Sequence, residues 1–248
     1  MPEPRLEDLI VPDWPAPARV RAASTTRQGG VSAPPYDRLN LADHVGDDPA
    51  FVAENRRRLM AAVGYPIEPA WLEQVHGNRV VAAEACCEPI AADVAWTRKP
   101  GQPCVVMTAD CLPVLLCDRA GMVVASAHAG WRGLAGGVIS AAVGSMDAQP
   151  AELLAWLGPA IGPGSFEVGE EVRAAFLGLD GGNAGCFRPS PAGRWLADLY
   201  ELARRQLRNL GVKGVYGGSW CTFTEPERFF SYRRENRTGR MATLIWLE

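Results

Sequence analysis

The stretch Cys104-Val105-Val106-Met107-Thr108-Ala109-Asp110-Cys111-Leu112-Pro113-Val114-Leu115-Leu116-Cys117, followed by Met122-Val123-Val124-Ala125-Ser126-Ala127-His128-Ala129-Gly130, decides how this chain is read. Cys104 to Met107, Pro113 to Cys117 and Met122 to Ala127 are apolar strand candidates. They lack the polar alternation of a sheet with one wet face, so they belong to a buried sheet centre. His76, Cys111 and His128 then fall at strand ends or in the turns beside them, where rigid elements hold a reactive side chain in place.

Working outward, Arg19 to Thr25 alternates like a strand and breaks at Gly29-Gly30. Asp48-Pro49 starts a helix, with Asp as N-cap and Pro at the first helical position, and Phe51 to Val63 runs to a stop at Gly64. Arg56, Arg57 and Arg58 read as its solvated side. Trp71 to Val75 and Arg79 to Ala83 read as short strands flanking a His76-Gly77-Asn78 turn, and Leu153 to Leu157 and Met241 to Leu247 as further strands. Helices are expected over Gly133 to Ser145, Glu170 to Leu177 and Leu196 to Leu210, the last ending at Gly211. Strands and helices alternate irregularly, and no repeat or linker divides the chain. One α+β domain spanning 1–248 is the expected architecture.

At 248 residues, with 48% hydrophobic and 21% charged side chains, the composition is that of a globular protein with a substantial core. A net charge of -3 gives no electrostatic reason to expect a nucleic-acid partner. All but two of the 25 basic side chains are Arg, Lys standing only at Lys99 and Lys213, so bidentate oxyanion binders are plentiful. Met1-Pro2-Glu3-Pro4-Arg5 lacks the apolar stretch of a signal peptide, and no apolar run approaches membrane-spanning length. A cytoplasmic protein without a membrane partner is expected. The seven cysteines, Cys86, Cys87, Cys104, Cys111, Cys117, Cys186 and Cys221, lack the spacing of a disulfide scaffold and fit reduced thiols, most of them core fillers.

The chain has only three histidines, His44, His76 and His128. His76 and His128 with Cys111 would supply the three protein ligands of a catalytic zinc site, although their wide spacing matches no compact metal signature. A packed thiol and satisfied imidazoles are the plain alternative. Glycine beside both histidines leaves room for a substrate to approach. Asp110 is either an orienting or proton-shuttling group or an Asx-type turn residue. Ser24-Thr25-Thr26-Arg27-Gln28-Gly29-Gly30 offers hydroxyls, a guanidinium and backbone amides to an oxyanion, or is an ordinary turn; it is not a P-loop. Ser231-Tyr232-Arg233-Arg234 with Arg237 and Arg240 is a second anion candidate, against a solvated charge run.

Those stretches, together with Leu157-Gly158-Pro159-Ala160-Ile161-Gly162-Pro163 and Phe229-Phe230 ahead of Ser231, occur in the order seen in the laccase-domain, polyphenol oxidase-like family. The resemblance spans residues 24 to 247. It implies zinc, with copper as the other candidate, on His76, Cys111 and His128. It also implies two mixed β-sheets flanked by helices, similar to the catalytic domain of cytotoxic necrotizing factor. The implied activity is purine nucleoside phosphorolysis, with adenosine deamination and methylthioadenosine cleavage. Catalytic candidates are His44, Asp110 and Cys111. Substrate-binding candidates are Thr26, Arg27, Asn40, Gln74, Arg132 and Arg233, with Arg27 as the phosphate clamp. The expected partners are purine nucleosides and phosphate, in a monomer or homodimer.

Other classes predict other behaviour. A multicopper laccase needs more imidazoles than three, though one copper could occupy a His-Cys-His site. A metal-free Cys111–His128 hydrolase predicts an alkylatable thiol indifferent to chelators. A non-enzymatic module binding purines or peptidoglycan fragments around a structural zinc is the third reading.

Overall fold

The computed structural model describes residues 9–64, 68–85, 90–191 and 193–248. The Met1 to Arg5 reading and the Cys86-Cys87 pair lie outside them. The chain runs from β1 (Val20–Ser24) through α1 (Pro49–Ala62) to β2 (Val80–Ala82), β3 (Val94–Thr97), β4 (Cys104–Thr108), β5 (Leu112–Asp118) and β6 (Val124–Ala129). Then come α2 (Trp131–Ala135), α3 (Val138–Ser145), β7 (Leu153–Leu157), β8 (Glu167–Val168) and α4 (Glu170–Leu179). Next are β9 (Phe187–Ser190), β10 (Arg194–Ala197), α5 (Leu199–Asn209), β11 (Gly214–Gly217), α6 (Tyr232–Glu235) and β12 (Met241–Leu247).

The molecule is α+β. A six-stranded mixed sheet has the order β11-β7-β5-β6-β3-β2, with β5 and β6 at its centre. A second sheet, β1-β12-β4, is antiparallel throughout, and β8-β10-β9 forms a small third one. Every residue of β4, β5 and β6 is buried. Alternation explains why: Leu112, Val114 and Leu116 turn toward Ile139 and Val143 of α3 and Leu202 and Leu207 of α5, whereas Leu115 and Cys117 meet Cys104, Ile245 and Leu247 of the second sheet. The far face of that sheet, with Val105, Leu244 and Trp246, packs on Leu59 of α1. The layers are thus helices, sheet, sheet, helix, and both wide sheets are apolar on two sides.

Several expected boundaries move, each for a local reason. The helix expected over Gly133 to Ser145 is two, because Gly137 adopts φ 85° and breaks it between α2 and α3. Leu196 belongs to β10, and α5 starts at Leu199 because Asp198 caps the amide of Glu201 at 2.9 Å. Trp71 to Val75 forms no strand beyond one bridge at Glu73, since the Gln74 side chain makes the ladder contacts instead: its amide donates to Met107 O (2.8 Å) and accepts from Met107 N (2.7 Å). β6 begins later than expected because Asp118 accepts from the amides of Met122 and Val123 and holds them in a turn. Of the three arginines on α1 only Arg57 is exposed. Arg56 stacks on Trp71 and donates to Leu41 O, and Arg58 donates to Gly29 O. Cys104, Cys117 and Cys186 are buried fillers, as expected. Among the described residues no helix is long and apolar enough to cross a membrane.

Candidate metal centre

The register of β5 on β6 pairs Leu112 with Ala129 and Pro113 with His128, so Cys111, one residue ahead of β5, arrives beside His128. His76 joins them from the loop before β2. The ligand atoms of the three lie within 4.8 Å of one another, and Cys111 Sγ is 3.8 Å from His76 Nε2. A tetrahedral ion with bonds of about 2.3 Å to sulfur and about 2.0 Å to nitrogen separates such atoms by about 3.6 Å. The group could therefore hold a metal ion with little movement. His76 and Asp110 both sit in the left-handed region, φ 61° and φ 91°, where non-glycine backbone is strained.

Asp93, at the start of β3, ties the centre together. Its carboxylate accepts from the amides of His76 (3.0 Å) and Gly77 (2.7 Å) and contacts His128 Nδ1 at 2.8 Å. That bond fixes the imidazole's orientation and leaves Nε2 for the cluster, the arrangement by which carboxylates support metal-binding histidines. Gly130 provides the space: a Cβ there would stand 2.9 Å from Cys111 Sγ and 3.1 Å from His76 Cδ2.

Burial alone would raise the Cys111 thiol, but His128 and His76 together bring it down to about 6. His128 shows the converse. Burial would lower it, whereas Cys111 and Asp93 lift it to about 9. Burial likewise opposes the charge of Asp93, yet His128 and the Gly77 amide keep it below the usual carboxylate range. Cys111 and His128 thus each favour the other's charged form, and metal binding, which needs a thiolate and a neutral imidazole, would depend on pH.

The cluster opens into a cavity of about 460 Å³, within the size range of small-molecule sites. His44, Gln74, Met107, Tyr232 and Arg240 are among its walls. Of the expected site residues, His44, Gln74, His76, Cys111 and His128 meet there. His44 is exposed, its Nδ1 3.5 Å from Asp43. The Gln74 amide bonds Met107 through both its nitrogen and its oxygen, which fixes this part of the wall.

The other expected residues do not line this cavity. Arg27, expected to clamp phosphate, spends its guanidinium on Asp37 O (2.8 Å), Pro226 O (3.0 Å) and the carboxylates of Asp37 and Glu235, and does not line the cavity. Thr26 accepts from Gln28 N. Asn40 is fully buried, bonded to Ala42, Asp47 and the Arg240 amide. Arg132 is exposed over Trp131, and Arg233 donates to Glu167 O. The carboxylate of Asp110 is held by Thr222 Oγ1 (2.6 Å) and the Arg233 amide (2.7 Å), which anchors the turn that carries Cys111. Sequence reasoning missed Asp93, a single acid before an apolar run that no spacing marks. It grouped Tyr232 and Arg240 with their neighbours without separating them.

A model of the family described as multi-copper polyphenol oxidoreductase laccase matches residues 21–248. The Escherichia coli protein named purine nucleoside phosphorylase YfiH is 55% identical over 245 residues, covering 98% of this chain and 100% of its own. A purine nucleoside phosphorylase of Pseudomonas aeruginosa is 55% identical over 240 residues, covering 96% of this chain and 98% of its own. Among solved structures, a Neisseria meningitidis protein superposes with a TM-score of 0.94 at 50% identity, covering 97% of this chain and 99% of its own. YlmD from Geobacillus stearothermophilus gives 0.87 at 33%, with 93% of each chain covered.

Proposed function

Since this chain belongs to the family described as multi-copper polyphenol oxidoreductase laccase, and its relatives include proteins named purine nucleoside phosphorylase, we propose that it cleaves purine nucleosides by phosphorolysis at a zinc centre on His76, Cys111 and His128. The observation that carries this reading is the cluster itself, three soft-metal ligands at the floor of a cavity large enough for a nucleoside. Adenosine, inosine, guanosine and methylthioadenosine are the proposed substrates, with adenosine deamination as a second activity of the same site. Bound there, zinc supplies Lewis acidity on the open side of the cluster.

The chain's own groups do the rest. In phosphorolysis a phosphate oxygen bonds to the anomeric carbon while the bond to the purine nitrogen breaks, and the leaving purine takes up a proton. His44, at the rim, is the proposed donor of that proton, and the exposed ring of Tyr232 offers a stacking face to the base. Asp93 orients His128. Copper remains a second candidate ion, because two imidazoles and a thiolate suit it as well. A laccase proper would need more imidazoles than the chain has.

One observation favours a second reading. Cys111, His128 and Asp93 line up as thiolate, imidazolium and carboxylate, the order of a thiol hydrolase. Measuring base release from adenosine with and without phosphate, before and after chelation, decides between them. Phosphate-dependent release that chelation abolishes supports the phosphorylase. Phosphate-independent turnover that survives chelation overturns it in favour of the hydrolase.

A further inference from the structure

We infer that Arg240 is the oxyanion-binding residue of this cavity and that its ligand is inorganic phosphate. The inference rests on the phosphorylase reading for the ligand's role in turnover, but the binding site stands on the geometry of Arg240 itself.

Arg240 lines the cavity that holds His76, Cys111 and His128, directly ahead of β12. Its backbone is fixed from two sides, the carbonyl accepting from Leu41 N at 3.3 Å. The amide donates to Asn40 Oδ1 at 2.9 Å, and Asn40 is fully buried and bonded in turn to Ala42 and Asp47. The guanidinium lies over the Tyr232 ring, 5.8 Å from its centre, and hydrogen-bonds through one nitrogen only: Nη1 donates to Thr238 O (2.8 Å) and Gly239 O (3.0 Å), both neutral carbonyls. Among the described residues no carboxylate pairs with it, and Nε and Nη2 have no protein acceptor. Three N–H donors of this cavity-lining cation thus have no protein acceptor. That fork matches two oxygens of a phosphate.

The other arginines of the region are committed elsewhere. Arg27 is engaged on all three nitrogens. Arg234 is spent on Thr222 O, Phe223 O, Phe229 O and Glu235. Arg233 is tied to Glu167 O, and Arg237 is exposed beside Tyr36. Withdrawal from water disfavours the charge of Arg240 and lowers its ordinary value, with Cys111, Asp110 and Tyr232 opposing that effect. A partly desolvated cation with no carboxylate in salt-bridge contact gains from an anionic ligand.

The test compares metal-loaded wild type with Arg240→Gln and Arg240→Lys, titrating inorganic phosphate by calorimetry in the absence of nucleoside and measuring the KM for phosphate and for nucleoside. Arg240→Gln should weaken phosphate binding and raise the phosphate KM by about ten- to a hundredfold, the loss of a charge-assisted pair, with a much smaller change in nucleoside KM. Arg240→Lys keeps the charge without the fork and should recover part of the binding. Thermal melting reports whether Arg240→Gln has lost its fold, in which case Arg240→Lys carries the comparison. Unchanged phosphate affinity, equal changes in both KM values, or no measurable phosphate binding by wild type overturns the inference. Phosphate binding that needs Arg240 in a protein that phosphorolyses no nucleoside upholds the inference and sinks the phosphorylase reading. Phosphorolysis indifferent to Arg240 does the reverse.

Discussion

β5 has a cysteine at each end, Cys111 just ahead of Leu112 and Cys117 one residue before its close. Cys117 is fully buried among Leu115, Val124 and Ile245, and burial pushes its thiol up to about 12. Cys111 lies where the chain leaves the sheet through a left-handed Asp110, between two imidazoles that bring its thiol down to about 6. Residue type and strand are the same, so the difference comes from what the neighbouring loops place against the sulfur. Apolar burial makes one thiol inert, and two neighbouring imidazoles make the other a candidate metal ligand.

The sharpest break of that contrast is Cys111→Ala, which should abolish tight metal binding by elemental analysis and cut turnover on the order of a thousandfold, the several kcal/mol a metal supplies. Cys117→Ala should keep the metal and cost roughly 1 kcal/mol in denaturant unfolding. Full metal occupancy in the Cys111 variant would remove Cys111 from the site. Asp93→Asn should come next, weakening metal affinity about ten- to a hundredfold in a chelator competition because His128 loses its carboxylate. Gly130→Ala should follow with a loss of about tenfold, since the added Cβ crowds Cys111 Sγ and His76 Cδ2. In chelated protein at pH 7.5, iodoacetamide should label Cys111 and leave Cys117 unmodified, and equal labelling would erase the distinction between the two ends. The smallest effect belongs to Gly137→Ala, about 1 kcal/mol of stability from its positive φ with metal content unchanged.

The layered fold was legible because its signal is chemical monotony. Leu153 to Leu157 and Met241 to Leu247 are strands over the very residues their apolar runs mark. Boundaries failed where a single side chain overrides a pattern: Gln74 replaces a strand's backbone pairing, and Asp198 restarts a chain that leucine spacing would have kept helical. At the site, His76, Cys111 and His128 stand out because the chain is poor in histidine and the residues flank buried strands. Asp93 and Arg240 do not stand out, because their roles depend on which partners the fold leaves them. Arg27 and Arg240 are the same residue in similar polar surroundings, and only the tertiary structure gives one four acceptors and leaves the other facing a cavity.

The central position of β12 in the second sheet bears on how the cavity comes into being. β5 and β6 are joined by a short turn, so the pairing that brings Cys111 beside His128 closes only a short loop. β1 and β4 each pair with β12 and not with each other, and Ser24 meets Thr243 across 219 residues of chain. Closing so long a loop adds little to the equilibrium cost, since that cost grows only logarithmically with length, but it delays the event. Arg240, one residue ahead of β12, is set in place by that late pairing. The two walls of one cavity thus rest on pairings of very different reach, β5 with its chain neighbour β6 and β12 with strands far away in the sequence.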